Sequence, residues 1–257
     1  MTKNLPLRLF PQGGLGNQVL QLVLAQTLCA KHQCELKVDT TLIQSSSRNL
    51  RGVSPRGLST LFESVAEIEA RPWHRWLGAR LRRRLNCAGR MILSDSQLLR
   101  AETSEDILDT DCPMLIITHG TSPILFTSSF KDSWAKIYWQ LPKPKLMASV
   151  GVHVRRGDYL KPRSGFIPLP PSYFHNALNY IFTHHPQLDR RVQLFSDDIH
   201  WGMKHLCSPN WNLIPSEGST EEDLASMACM RALVISNSSL SAIAAHMGES
   251  FAELEAV

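Results

Sequence analysis

The sequence predicts an α/β protein built from two units, and three observations lead there. Residues 7–39 read strand, glycine-rich turn, helix, strand; strands and helices alternate again from 150 to 239; and Pro142 and Pro144 interrupt the chain between the two runs. Short apolar strands alternating with amphipathic helices bury their apolar sides when the helices pack on a parallel sheet. Proline spacing of that kind cannot continue a helix, so the boundary is placed near 145, with an N-terminal α/β domain over 1–145 and a C-terminal one over 146–257. At 257 residues and 43% hydrophobic content, the chain can build a real core.

In the first unit, LRLF (7–10) is the opening strand and PQGGLGNQ (11–18) the turn. Leu20, Val23, Leu24 and Leu28 then recur with the period of one helix face, and CELKVD (34–39) supplies the next strand. This βαβ opening belongs to nucleotide-binding architectures. Residues 44–59 carry Ser, Gly and Pro without periodicity and read as a loop. From 71 to 85, Trp73, Trp76, Leu77, Leu81 and Leu85 fall near one helical side, with Arg71, Arg75, Arg82 and Arg83 largely elsewhere. That is a solvated basic face over an apolar seam, or, on a second reading, a surface that docks peripherally on an anionic membrane or a lipid-phosphate acceptor. MLIITHG (114–120) is a further strand.

The second unit opens with VGVHV (150–154), whose alternate valines mark a strand, and continues with a helix in SYFHNALNYIFTHH (172–185). RVQLFS (191–196), a short helix after Asp197, and NWNLI (210–214) follow. Ser219 and Glu222 form a capping-box pattern ahead of another helix, and ALVIS ends in the polar turn that contains Ser238 and Ser239.

Composition narrows the function. Lys plus Arg number 27 against 23 Asp plus Glu, a formal charge of +4, which favours a phosphate-bearing small molecule without requiring nucleic acid. The six cysteines, at 29, 34, 87, 112, 207 and 229, form no CxxC pair and are read as reduced thiols of a cytoplasmic protein; the ten histidines show no metal-ligand spacing. MTKNLPLRLFPQGG has no signal-peptide core, and no run approaches the roughly 20 apolar residues of a membrane span.

The chemistry-bearing motifs each stand just past the carboxyl end of a predicted strand, where open α/β sheets hold ligands. In RRGDY, Arg155 offers a planar, permanently charged fork that matches a phosphate edge, Gly157 allows close backbone approach, and Asp158 either orients an arginine or takes a proton. Gly14 and Gly16 open the first helix with Asp39 downstream, yet Val19 stands where a dinucleotide fingerprint needs its third glycine, so an NAD site is the weaker reading. In FSDD, Asp197 either caps its helix or accepts two hydrogen bonds from guanine. Ser238 and Ser239 cap the next helix or donate to a phosphate. Asp109 and Asp111 form an Asp-x-Asp pair of the kind that holds a divalent ion on a diphosphate, which is the basis for an alternative metal-dependent GT-A transferase.

Taken together and in this order, GGLGNQ, HVRRGDY, FSDD and DLxxM…ISNSS resemble the α-1,2-fucosyltransferases of glycosyltransferase family 11. The resemblance implies a GT-B-like fold, two Rossmann-type domains facing across a cleft, and an inverting enzyme that needs no metal or bound cofactor. It implies GDP-β-L-fucose as donor and the 2-hydroxyl of a galactose-terminated glycan as acceptor. By position, Arg155 would hold the β-phosphate and Asp158 is the candidate base. His153 and Arg156 would support donor binding, Asp197 and Asp198 would face guanosine, Ser238 and Ser239 would line the pyrophosphate pocket, and Gly14 and Asn17 would serve from the first domain. Family members usually follow NSS with Phe-Ser-Trp-Trp, where this chain has Leu240, Ser241, Ala242 and Ile243 and then stops at Val257. A nucleotide- or glycan-binding relic without transfer activity is therefore the alternative outside enzymology.

Overall fold

A computed structural model describes residues 6–39, 60–62, 67–69, 92–94, 100–108, 115–117, 122–161 and 165–251. The expected loop over 44–59, the basic segment 71–85, the Asp109/Asp111 pair, Cys87 and Cys112 lie outside them. The chain forms two compact units, Met1–Gln140 and Leu141–Val257.

The first unit holds a five-stranded, all-parallel sheet of β1 (Leu7–Leu9), β2 (Leu36–Asp39), β3 (Glu67–Glu69), β4 (Ile92–Ser94) and β5 (Leu115–Ile117), in the order β3-β2-β1-β5-β4. The chain winds outward from β1 to β3 and returns on the other side of β1. The last two strands stand in the reverse of the usual 3-2-1-4-5 order. Helix α1 (Leu15–His32) buries Leu20, Val23, Leu24 and Leu28, the stripe expected from the spacing. A short α2 (Glu105–Leu108) and α3 (Lys131–Tyr138) follow. Thr27 on α1 shares a 2.7 Å hydroxyl contact with Ser133 on α3, and the buried Trp134 indole donates to the Leu125 carbonyl.

The second unit has a four-stranded parallel sheet of β6 (Val150–Val154), β7 (Arg191–Ser196), β8 (Asn212–Pro215) and β9 (Ala232–Val234), ordered β8-β7-β6-β9. Helices α4 (Pro171–His184), α5 (Ile199–His205), α6 (Thr220–Ala228) and α7 (Ser239–Phe251) connect the strands or follow them. All five residues of β6 are buried, as a central parallel strand requires. Val150, Val152 and Val154 pack with Phe174, Leu178 and Phe182, spaced four apart on α4. On β6, Gly151 is closely packed, since a Cβ there would stand 3.0 Å from the Leu233 and Met230 side chains and would need them to shift. Gly248 lets α7 approach α6, where a Cβ would stand 2.8 Å from the Ala228 carbonyl.

The division falls at Gln140–Leu141, ahead of the prolines used to place the boundary near 145. The reason is the anchoring of the segment that follows. The buried Gln193 amide on β7 accepts from Met147 N–H and donates to the Lys145 carbonyl, Lys145 N–H donates to Ser226, and the Lys145 ammonium pairs with Glu222 at 2.8 Å. The expected capping box forms, with the Ser219 side chain on Glu222 N–H and the Glu222 side chain on Ser219 N–H.

Candidate functional site: paired arginines at a sheet switch point

The order β8-β7-β6-β9 places the topological switch between β6 and β9, because the chain steps from β6 to β7 and β8 on one side and returns to β9 on the other. Ligands of open parallel sheets sit at that crevice, beyond the carboxyl ends of the strands. RRGDY leaves β6, SDD leaves β7 and SNSS leaves β9, so the sheet gathers three of the four sequence motifs at one edge.

Arg155 is mostly buried, with 15% side-chain exposure, and both ends of its guanidinium meet a carboxylate. Nη2 lies 2.6 Å from Asp158 Oδ1 and Nη1 lies 2.9 Å from Asp197 Oδ2. The other oxygen of Asp197 accepts the Arg156 backbone N–H at 2.9 Å. Gly157 gives Asp197 this room, because a Cβ at that position would stand 2.8 Å from Asp197 Oδ2.

Arg156 turns the other way. Its guanidinium lies 3.8 Å above the Trp201 ring, with Nε 3.5 Å from Asp198 Oδ2. Of the two adjacent aspartates it is Asp198, and not Asp197, that caps α5, accepting Trp201 N–H at 3.1 Å. Strand β7 runs to Ser196, whose hydroxyl accepts Asp198 N–H, and this sets the helix start one residue later than the capping reading of Asp197 supposes.

Two contacts tie the β6 end to the β9 end. His153, buried on β6, has Nδ1 2.9 Å from the Ser236 hydroxyl, and Tyr159 donates its phenol to the Asn237 carbonyl at 2.7 Å. Burial raises the Tyr159 pKa above the ordinary phenol value, with the Arg155 charge opposing, so the hydroxyl keeps its proton and stays a donor. The Tyr159 ring stacks on Phe166, and the Asn237 amide donates to the Ile167 carbonyl. Ser238 precedes α7 and its carbonyl accepts Ala242 N–H, so the N–H groups of Ser239 to Ser241 lie in the first turn, ahead of the regular helix bonds. The buried Ser241 hydroxyl donates to the carbonyls of Ser236 and Ser238, stiffening the same turn.

In the first unit the glycine turn is held from below. Gly13 sits at φ +77°, which only glycine adopts freely, and a Cβ there would meet the Asn17 amide nitrogen at 2.5 Å. Asn17 therefore packs over the turn, and Gly14 takes the N-cap position of α1. The buried Gln18 donates to the Gly13 carbonyl, while Gln21 both accepts Gln12 N–H and donates to the Gln12 carbonyl. Asp39, the ribose candidate of the NAD reading, is buried at the end of β2.

Gln21 and Trp201 were not singled out from sequence, and Gln18, Ser236, Asn237 and Ser241, which lie in or beside the quoted motifs, were given no role there. The glutamines carried a signal: two amides on the buried stripe of an amphipathic helix need partners, and a turn beside them offers backbone groups that no helix or strand ladder takes up. Among the described residues, no group of three His, Cys, Asp or Glu side chains is placed to hold a metal ion, and no helix is long and apolar enough to cross a membrane. Among the described residues, Cys29, Cys34, Cys207 and Cys229 form no disulfide.

Residues 135–250 match the family described as Glycosyl transferase family 11, a span that takes in all four strands of the second sheet and the motifs at their ends. The match lies almost wholly within the second unit. Among solved structures, a mutant of Arabidopsis thaliana FUT1 in complex with GDP is similar at TM-score 0.47 and 10% identity, over 96% of this chain and 69% of that one. NodZ alpha-1,6-fucosyltransferase soaked with GDP-fucose is similar at TM-score 0.42 and 14% identity, over 94% of this chain and 92% of that one. No curated protein matches the chain. Likeness at these scores adds nothing to what the two parallel sheets already establish.

Proposed function

We propose that the protein is an inverting, metal-independent glycosyltransferase that moves L-fucose from GDP-β-L-fucose to the 2-hydroxyl of a galactoside. One observation supports this above the others. The RRGDY, SDD and SNSS motifs meet at the switch point of the second sheet, inside the segment that matches glycosyl transferase family 11.

Glycosyl transfer from a sugar nucleotide builds negative charge on the departing GDP. A site that lowers the barrier therefore has fixed donors aimed at the diphosphate, and loss of one such donor costs about 10²–10³ in rate. Arg155 is assigned as that donor, with the backbone N–H groups in the first turn of α7 as further donors; Ser238 N–H itself is held by the Ser236 carbonyl. Asp197 already spends its oxygens on Arg155 and Arg156 N–H, so in this account it is a positioning residue for the fork. The Arg156–Trp201 pair is left to face guanosine, with Asp198 beside it holding Arg156 Nε and the start of α5. His153 acts through Ser236, holding the SNSS turn to β6. Inversion requires the acceptor hydroxyl to attack from the face opposite the leaving group and to lose its proton, for which Asp158 is the candidate base. Gly14 and Asn17 are assigned to donor binding.

Purified protein incubated with GDP-fucose and a panel of galactosides, with GDP release followed and product linkage read by NMR, is the direct check. Turnover that survives EDTA and yields a fucosyl-α-1,2-galactoside is the expected result. GDP binding without transfer to any acceptor would favour the binding relic. Turnover abolished by EDTA would favour the metal-dependent class, and indifference to GDP would remove the nucleotide reading altogether.

A further inference from the structure

The site as folded holds more negative than positive charge. Arg155 and Arg156 are faced by Asp158, Asp197 and Asp198, and the two Arg155 amino groups already sit against Asp158 and Asp197. A phosphate cannot use this fork as an open cation; it has to replace one carboxylate or share with it.

The two carboxylates are not equivalent. Asp197 is bound on both oxygens, by Arg155 and by the Arg156 backbone, and its side chain is 17% exposed. Asp158 stands at the start of a turn, three residues along from Arg155, with 33% exposure. Leu160 N–H bonds back to the Arg156 carbonyl and Lys161 N–H to the Asp158 carbonyl, so the turn keeps its own backbone bonds whether or not the Asp158 side chain moves. Of the two partners, Asp158 is the cheaper to displace.

We propose that Asp158 is an internal competitor for the diphosphate: it occupies Arg155 Nη2 as a stand-in for a phosphate oxygen, and the donor binds by taking its place while Asp197 keeps the guanidinium oriented. This rests on the reading of GDP as the nucleotide of the site. Three consequences follow from the exchange. The fork stays aligned before the donor arrives, affinity for the diphosphate is held down, which also eases release of GDP, and the Asp158 carboxylate is freed only once a phosphate is seated.

The full chain is titrated by calorimetry with GDP and with guanosine, as wild type, Asp158→Asn and Asp158→Ser, with a thermal melt of each. An ion pair at the surface is worth up to about 1 kcal/mol, roughly 5-fold, and this one is partly buried, so removing the competing charge is expected to tighten GDP by about 3-fold or more, with guanosine unchanged. Raising the salt should shrink the difference. Two variants of different shape guard against an effect of the asparagine itself. If wild type binds GDP and both folded variants bind it equally or more weakly, the competition is overturned while the nucleotide reading stands. If wild type binds no GDP, both fall together. Tightening of guanosine by the same factor would also overturn it, since the gain would then have nothing to do with the phosphates.

Discussion

At the scale of single residues, the account gives Arg155 and Tyr159 different jobs. Arg155→Ala is expected to lower transfer by at least about 10²-fold with the fold intact, measured as kcat/KM for GDP-fucose together with a melting curve. Near wild-type rates in that variant would remove Arg155 from the site. Tyr159→Phe deletes only the hydroxyl that reaches Asn237 and keeps the stack on Phe166. Losing one such bond costs about 1 kcal/mol, so the variant should stay folded while KM for the donor rises. What the sequence could and could not show is clearest here. That Arg155, Asp158 and Asp197 stand near one another was readable because motif and strand end coincide. The Tyr159–Asn237 and His153–Ser236 bonds join positions that are neighbours only because β9 pairs with β6, and no local pattern encodes that. Which of two adjacent aspartates caps α5 turned on where β7 ends, a boundary sequence patterns define only to within a few residues.

At the scale of elements, the strongest readings were those with a clean period. The alternate valines of β6 and the Leu20/Val23/Leu24/Leu28 stripe of α1 became buried surfaces as expected. The glycine turn was visible, but its support by Gln18 and Gln21 was not. Gly13→Ala tests that turn: the residue would have to hold φ +77° and displace Asn17, so a loss of about 1 kcal/mol or more is expected in chemical denaturation. An unchanged midpoint would show that the turn adjusts freely. The start of α6 carries a pH signature. The Lys145 ammonium, then Ser219 N–H, hold the Glu222 carboxyl below its ordinary value, so the folded state favours its ionised form. Its contribution is present above the unfolded glutamate pKa and is lost as pH falls through the lower folded one. Burial pushes neighbouring Asp223 up, with the Ser216 hydroxyl opposing, and its effect has the opposite sign: the folded state gains as pH falls through the raised value. Glu222→Gln should therefore weaken the loss of stability toward acid in denaturation curves taken between pH 3 and pH 7; an unaltered slope would place that loss elsewhere.

At the scale of the whole molecule, two parallel sheets in one chain were foreseeable from the repeated strand–helix alternation, whereas their strand orders were not. In the second unit the order β8-β7-β6-β9 explains why motifs spread over residues 155–239 lie together: it brings three separate strand ends to one edge of the sheet. In the first unit, reversal of the last two strands depends on which edge a returning chain joins, and short runs such as LII carry no mark of that choice. The chain also departs from the family pattern after NSS, yet Ser241, Ile243 and Ala244 are fully buried in α7, so the substituted segment still packs as a helix behind the turn. The most direct check on the central claim is a crystal structure of the complex with GDP. It should show the β-phosphate within hydrogen-bond reach of Arg155 and of the backbone N–H groups that open α7, with Asp158 moved off the guanidinium. A nucleotide bound away from both, with the Arg155–Asp158 pair unbroken, would contradict the account.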